Sequence, residues 1–147
     1  MISKIDKRMI ELLQEDARMP ISQISKEVGL SENGVRYRLE KLEKDGIIKQ
    51  YAVLVNPTKI GKKVKAIFKI QLDHTEIQQT IKKIKEFDEL ISVYQTSGHY
   101  LITAIGLFES NEQLSNFINN TLLVKCNIRD YCIDIVIKEC KNSIYQI

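Results

Sequence analysis

The amino-acid sequence predicts an α+β chain in two parts, a bundle of three helices followed by a β-α-β-β-α-β unit. Three observations predict it. Apolar residues recur at helical spacing from Ile5 to Leu42, broken by a Gly29-Leu30-Ser31 turn. After Gly61 the period becomes two, with Val64, Ala66, Phe68, Ile70 and Leu72 alternating with Lys65, Lys69 and Gln71. Helical spacing then returns twice, at Ile77, Ile81 and Ile84 and at Leu114, Phe117, Ile118 and Leu122.

The first helix carries Ile5, Met9, Ile10, Leu12 and Leu13, with Asp6 or Ser3 as its cap. The second places Ile21, Ile24, Ser25 and Val28 on one face. Pro20 stands before it, and Ser22 is expected to cap its first turn. Gly29 reaches positive φ without a Cβ clash, so it ends that helix and redirects the chain. Ser31 caps the third helix through the N–H near Gly34, and Gly46 ends it. Val35, Leu39 and Leu42 face inward; Asn33, Arg36, Tyr37, Glu40, Lys41 and Lys44 face outward. Two helices joined by such a turn form a helix-turn-helix, whose second helix fits the DNA major groove. The first helix completes a winged-helix-like trihelical domain over residues 1–47.

Residues 48–62 read as a connecting strand and hinge, with Ile47–Val55 rich in β-formers and ending at Asn56-Pro57. Residues 63–147 hold the second part. Its strands are expected near 64–72, 90–96, 100–108 and 128–137, with a turn at Ser97-Gly98-His99. That order folds into a four-stranded antiparallel sheet with both helices on one face, the ferredoxin-like arrangement. The other face lacks cover, and Ile67, Ile102, Ile133 and Ile135 cannot all be hidden by the same two helices, given the parity of their strands. A second copy would bury them at about 25 cal/mol per Å² of apolar area, which predicts a dimer or larger assembly.

Composition narrows the function. The chain has 147 residues, 44% of them hydrophobic, enough for two small cored domains. No apolar run reaches the roughly 18 residues of a membrane span, and the charged N-terminus is not a secretory leader. Cys126, Cys132 and Cys140 are an odd count without C-x-x-C spacing, which predicts reduced thiols and a cytoplasmic setting. His74 and His99 form no ligand pattern with them, so no metal and no cofactor is expected. No nucleophile–base pair or phosphate loop marks an enzyme. Residues 1–65 hold 14 Lys and Arg against 9 Asp and Glu, while residues 66–147 hold 8 against 10. The positive half carries the helix-turn-helix, which suits double-stranded DNA.

Residues near the start of a recognition helix reach base edges, which selects Asn33, Arg36 and Tyr37. Arg18, Ser31, Arg38 and Lys41 are placed for phosphates. Two of these have alternatives: Tyr37 as packing, and Arg38 as a structural ion pair with Glu11 or Glu15. An architectural protein that compacts DNA without base choice is the second functional reading; competition by unrelated DNA separates the two.

The chain resembles the Lrp/AsnC (leucine-responsive, "feast/famine") transcription regulators along essentially its whole length. The resemblance rests on Asp16-Ala17-Arg18, Val28-Gly29-Leu30-Ser31, Val35, Arg38, Leu42-Glu43, Gly46-Ile47-Ile48, Tyr51 and Gly61. It implies a connecting strand paired with its copy in a partner, dimers formed through the sheets, assembly as far as octamers, and an amino-acid effector. It also implies an effector contact at Ser97, Gly98, His99 and Tyr100, where the family pattern is Thr/Ser-Gly-x-Tyr/Phe-Asp. Here Leu101 replaces the acidic residue, and Cys126-Asn127 replaces the usual Pro-Gly before the last strand. A carboxylate can hold an effector ammonium; a leucine cannot.

Overall fold

The computed structural model describes residues 2–73 and 75–141; the expected segments 1–47 and 63–147 are described within those limits, and His74 lies outside them. The chain divides into two compact units, one built on the residues up to Leu54 and one on Val55–Glu139.

The first unit comprises α1 (Lys4–Glu15), α2 (Ile21–Val28) and α3 (Glu32–Lys44). Of the two candidate caps for α1, Ser3 is the cap and Asp6 its reciprocal partner. Asp6 N–H donates to Ser3 Oγ at 3.1 Å, and Ser3 N–H donates to Asp6 Oδ2 at 3.3 Å, a complete capping box. Ser22 does not cap α2. Pro20 occupies the cap position with φ −62° and ψ 144°, so Ser22 falls inside the helix. The Pro20 carbonyl instead takes the N–H groups of Gln23 and Ile24 at 2.9 and 3.1 Å. Met9, Leu12, Ile24, Val35 and Leu39 form the core, with Ile5, Val28, Leu30 and Ile48 packed around them.

After α3 the expected connecting strand is absent: residues 49–56 belong to no helix or strand. A strand is stable only where a neighbouring ladder takes its N–H and C=O groups, and none of the described residues forms one beside it. Tyr51, Val53, Leu54 and Val55 are all exposed. A short 3-10 turn, Thr58–Ile60, follows and ends at Gly61 with φ 90°.

The second unit runs β1 (Val64–Gln71), α4 (Ile77–Ile84), β2 (Leu90–Gln95), β3 (Ile102–Phe108), α5 (Asn111–Phe117), a π-helical turn to Leu122, and β4 (Asp130–Ile135). The sheet is antiparallel with order β2-β3-β1-β4, so the β-α-β-β-α-β expectation and its ferredoxin-like topology hold. Helices cover one face. Ala66, Phe68, Ile70, Ile102, Ala104 and Phe108 meet Ile84, Phe87, Leu114, Phe117 and Leu122 there.

As expected, the four named isoleucines are not all hidden under the helices. Only Ile67 of the four lies on the open face. Ile102 is fully buried under the helices, and Ile133 and Ile135 sit opposite Phe68 and Ala66, so they share the covered side. Antiparallel partners point the same way, and the register therefore decides each face. The apolar residues on the open side are Ile67, Ile105 and Leu107, all half-buried. The ion pair Lys69–Asp134, at 2.8 Å, crosses the same side.

Candidate nucleic-acid interface

The turn between α2 and α3 is fixed by backbone chemistry. Gly29 takes φ 69° and its N–H donates to the Ser25 carbonyl; the Leu30 N–H donates to the same oxygen at 3.1 Å. Ser31 then accepts from Gly34 N–H at 3.1 Å and starts α3. With Val35, Leu39 and Leu42 buried, the helical period turns Asn33, Arg36, Tyr37 and Lys41 outward, and all four are exposed. None of the four has an intramolecular polar partner among the described residues. Tyr37 is 69% exposed, which removes its packing alternative within the chain. Arg18 is exposed on the turn after α1, where its own N–H donates to Asp16 Oδ1 at 2.8 Å.

Arg38 stands apart from the other predicted contacts. Its Nη1 donates to Asp6 Oδ1 at 2.9 Å, with side-chain exposures of 35% and 17%. The ion-pair alternative is therefore realised, but with Asp6 in place of Glu11 or Glu15. Spacing offered no signal for this pair, because the residues lie 32 positions apart on different helices. Burial raises the Asp6 pKa; hydrogen bonds from Ser3 and Arg38 and the Arg38 charge outweigh it, and the net shift is downward.

A second contact missed in the sequence ties the segment after α3 to that helix. The Tyr51 hydroxyl donates to Glu43 Oε1 at 2.9 Å. Burial and the Glu43 carboxylate together push the Tyr51 pKa up to about 12.

In the second unit, Ser97, Gly98, His99 and Tyr100 form the β2–β3 connection. Thr96 closes it: its N–H donates to the Leu101 carbonyl at 2.8 Å and its hydroxyl to the Tyr100 carbonyl at 2.6 Å. The His99 and Tyr100 rings meet edge to face at 5.1 Å, and the Tyr100 hydroxyl reaches Asp130 Oδ2 at 3.4 Å. Ser97, Gly98 and His99 are exposed. Asp130 is thus the carboxylate near this loop, from β4 rather than from position 101. Cys126 is buried, which raises its thiol pKa, and it packs as a small apolar side chain. Among the described residues no group of His, Cys, Asp and Glu has the geometry of a metal site, and no helix is long and apolar enough to cross a membrane.

Known proteins match this arrangement over both units. A winged helix-turn-helix DNA-binding model matches residues 2–49, and an Lrp/AsnC ligand binding domain model matches residues 65–145. The chain is 30% identical to the HTH-type transcriptional regulator Ptr1 of Methanocaldococcus jannaschii, over 97% of each chain. It is 32% identical to the regulator LrpA of Pyrococcus horikoshii, over 96% of this chain and all of that one. A transcriptional regulator of Neisseria meningitidis crystallised with L-Met superimposes with a TM-score of 0.90 at 25% identity, over 97% of this chain and 94% of that one. Escherichia coli AsnC superimposes with a TM-score of 0.95 at 24% identity, over 100% and 99%. The chain therefore belongs to the Lrp/AsnC family of DNA-binding transcription regulators, which are not enzymes.

Proposed function

We propose that this regulator reads double-stranded DNA with α3, through Asn33, Arg36 and Tyr37 at base edges and Arg18, Ser31 and Lys41 at phosphates. Arg38 is not among the contacts, because Asp6 holds its guanidinium. The observation that carries the reading is the outward face of α3: the side chains of Asn33, Arg36, Tyr37 and Lys41 are exposed and have no polar partner among the described residues, while the opposite face is the core of its unit. Arginine is bidentate to guanine and asparagine to adenine in the major groove, so Arg36 and Asn33 supply base choice and the others supply register.

The division of labour follows the sequence segments. Residues 1–47 bind DNA, 48–62 connect, and 63–147 bind an effector and join copies. A homodimer forms through the open sheet face, with Ile67, Ile105 and Leu107 at its centre, and dimers assemble further, to an octamer in the fullest form. Exposed Tyr51, Val53, Leu54 and Val55 gain a ladder when a second copy's connector lies beside them. An amino acid is the effector class. The L-Met bound to the Neisseria relative supports it, and Ser97, Gly98, His99 and Tyr100 are the contact loop. The cytoplasm is the proposed setting, and a DNA partner and free cysteines support it.

Selection of binding sites from random DNA, with and without each amino acid, tests this reading. Arg36→Ala lowers affinity for the selected site by about 1–3 kcal/mol and relaxes one base position. Unchanged affinity and base preference would remove α3 as the reading helix.

A further inference from the structure

The Asp6 carboxylate is shared between two elements. Its Oδ2 belongs to the α1 capping box, where Ser3 Oγ also donates to it at 2.6 Å, and its Oδ1 takes Arg38 of α3 at 2.9 Å. The packing around this link is incomplete. A hollow of about 310 Å³ lies along this flank of α3, lined by Asp6, Leu30, Gly34, Tyr37, Arg38 and Lys41 among others. The hydrogen-bonded ion pair lies in its lining and ties α3 to the capped end of α1, beside the Val35 and Leu39 packing on the opposite face. Tyr37 and Lys41, one residue before and three after Arg38, lie on the same turns of α3 and face outward.

From this geometry, and resting on the DNA-reading role of α3 proposed above, we infer that Asp6 and Arg38 are positioning residues for base readout: they set how α3 presents Asn33, Arg36 and Tyr37, and they take no part in phosphate contact. The inference makes an unusual sign prediction. Removing an acidic charge beside a DNA-binding helix ordinarily strengthens binding to any DNA, since phosphate repulsion is relieved. Here the loss of Asp6 weakens the selected site while binding to unrelated DNA holds or rises.

The test uses the full-length protein, a duplex carrying the selected site, and an unrelated duplex of equal length. Asp6→Asn keeps the shape and the oxygen of the capping box, and it removes the charge that holds Arg38. Arg38→Gln removes the other partner, and Arg38→Lys keeps a cation for Asp6. Asp6→Asn and Arg38→Gln each lower the ratio of selected to unrelated affinity by about 10-fold, the size of one displaced base contact. The dependence of affinity on salt stays as in wild type, and Arg38→Lys recovers most of the ratio. A slope lowered by about 0.9 in Arg38→Gln alone, with both duplexes weakened, would make Arg38 a phosphate ligand and overturn the inference. An unchanged ratio in every variant, beside a wild type that discriminates, would leave the pair as a structural tie and overturn it too. A wild type without sequence preference would instead sink the regulator reading itself, and the positioning role with it.

Discussion

Gly106→Ala probes how tightly the ligand-binding unit is packed. Gly106 sits in the middle of β3, opposite Ala66 of β1 and Leu90 of β2, on the face that the helices cover. A Cβ built there stands 2.7 Å from Phe108 Cε2, 3.0 Å from Phe108 Cζ and 3.0 Å from Phe68 Cε2. Those rings cannot simply step aside. Phe68 and Phe108 are 6.0 Å apart, both touch Phe117 at 5.8 and 5.3 Å, and Phe117 meets Phe87 at 5.6 Å. Adding a methyl to such a core costs about 1–3 kcal/mol. Replacing a strand glycine recovers about 0.5–1 kcal/mol of backbone entropy. A contact as short as 2.7 Å puts the cost in the upper half of that range, so the net is a loss of about 1–2.5 kcal/mol, with a drop of roughly 4–8 °C in midpoint for each kcal/mol in a unit of this size. Urea and thermal denaturation followed by circular dichroism measure it. Phe108→Leu in the same chain removes the ring atoms that collide, so the double variant should be more stable than the two single losses added, by at least about 0.5 kcal/mol. A neutral or stabilising Gly106→Ala would refute the reasoning, because the aromatic cluster would then have room that the distances deny it.

Three further outcomes are expected. Asp6 has a folded pKa below its ordinary value, so its contribution is fully present above the unfolded value of about 3.9 and is lost as the pH falls through the folded one; urea midpoints at pH 7, 4 and 3 should show wild type and Asp6→Asn converging on the acid side, and a constant gap would contradict the pair. Tyr51, with its pKa pushed up to about 12, should stay neutral past the ordinary tyrosine value of about 10, and an ultraviolet titration of Glu43→Gln should show its pKa lowered toward that value. Gly29→Ala should destabilise by about 1–2 kcal/mol, since φ 69° is left-handed and no neighbour lies within 4 Å of the new Cβ to add a clash; a melting curve unchanged from wild type would show that the turn is not held there.

The helix-turn-helix was legible because its determinants are local. Gly29, Ser31 and the Val35, Leu39, Leu42 period act within a turn or two of themselves, and the backbone does what each residue type favours. The β-α-β-β-α-β order was legible for the same reason. What failed depends on registers and partners that spacing does not encode. β3 is apolar on both sides, with Ile102, Ala104 and Phe108 alternating with Ile105 and Leu107, so a period of two could not say which side meets the helices. Ile133 and Ile135 took their face from pairing with β1, and that register was invisible. The connector Ile47–Val55 has strand composition but no neighbouring strand among the described residues. Ser22 lost the cap to Pro20, whose fixed φ suits the extended cap position. Arg38 pairs with Asp6 rather than with Glu11 or Glu15, and a separation of 32 residues between two helices carries no spacing signal that chooses among these acids.

On the function proposed above, recognition and self-association belong to one activity for an electrostatic reason. The exposed side of α3 offers Arg36, Lys41 and Lys44 as cations, and the same helix exposes Glu32, Glu40 and Glu43. With Arg18 added, one copy can neutralise only a few phosphates, each worth about 0.9 in the salt slope, so a lone helix-turn-helix holds DNA weakly at physiological salt. A second copy joined through the proposed sheet interface meets its half-site as an intramolecular event, at an effective concentration in the millimolar range for short connections. Affinity for the paired site then depends on how the copies are joined as strongly as on α3 itself. An effector bound near Ser97–Tyr100 therefore need not approach DNA to control it. A coupling of about 1–3 kcal/mol between effector binding and the association of copies changes occupancy roughly 5- to 150-fold. On the function proposed above, the departure at Leu101, with Asp130 as a carboxylate beside the loop, bears on which small molecule would exert that coupling and not on DNA readout by α3.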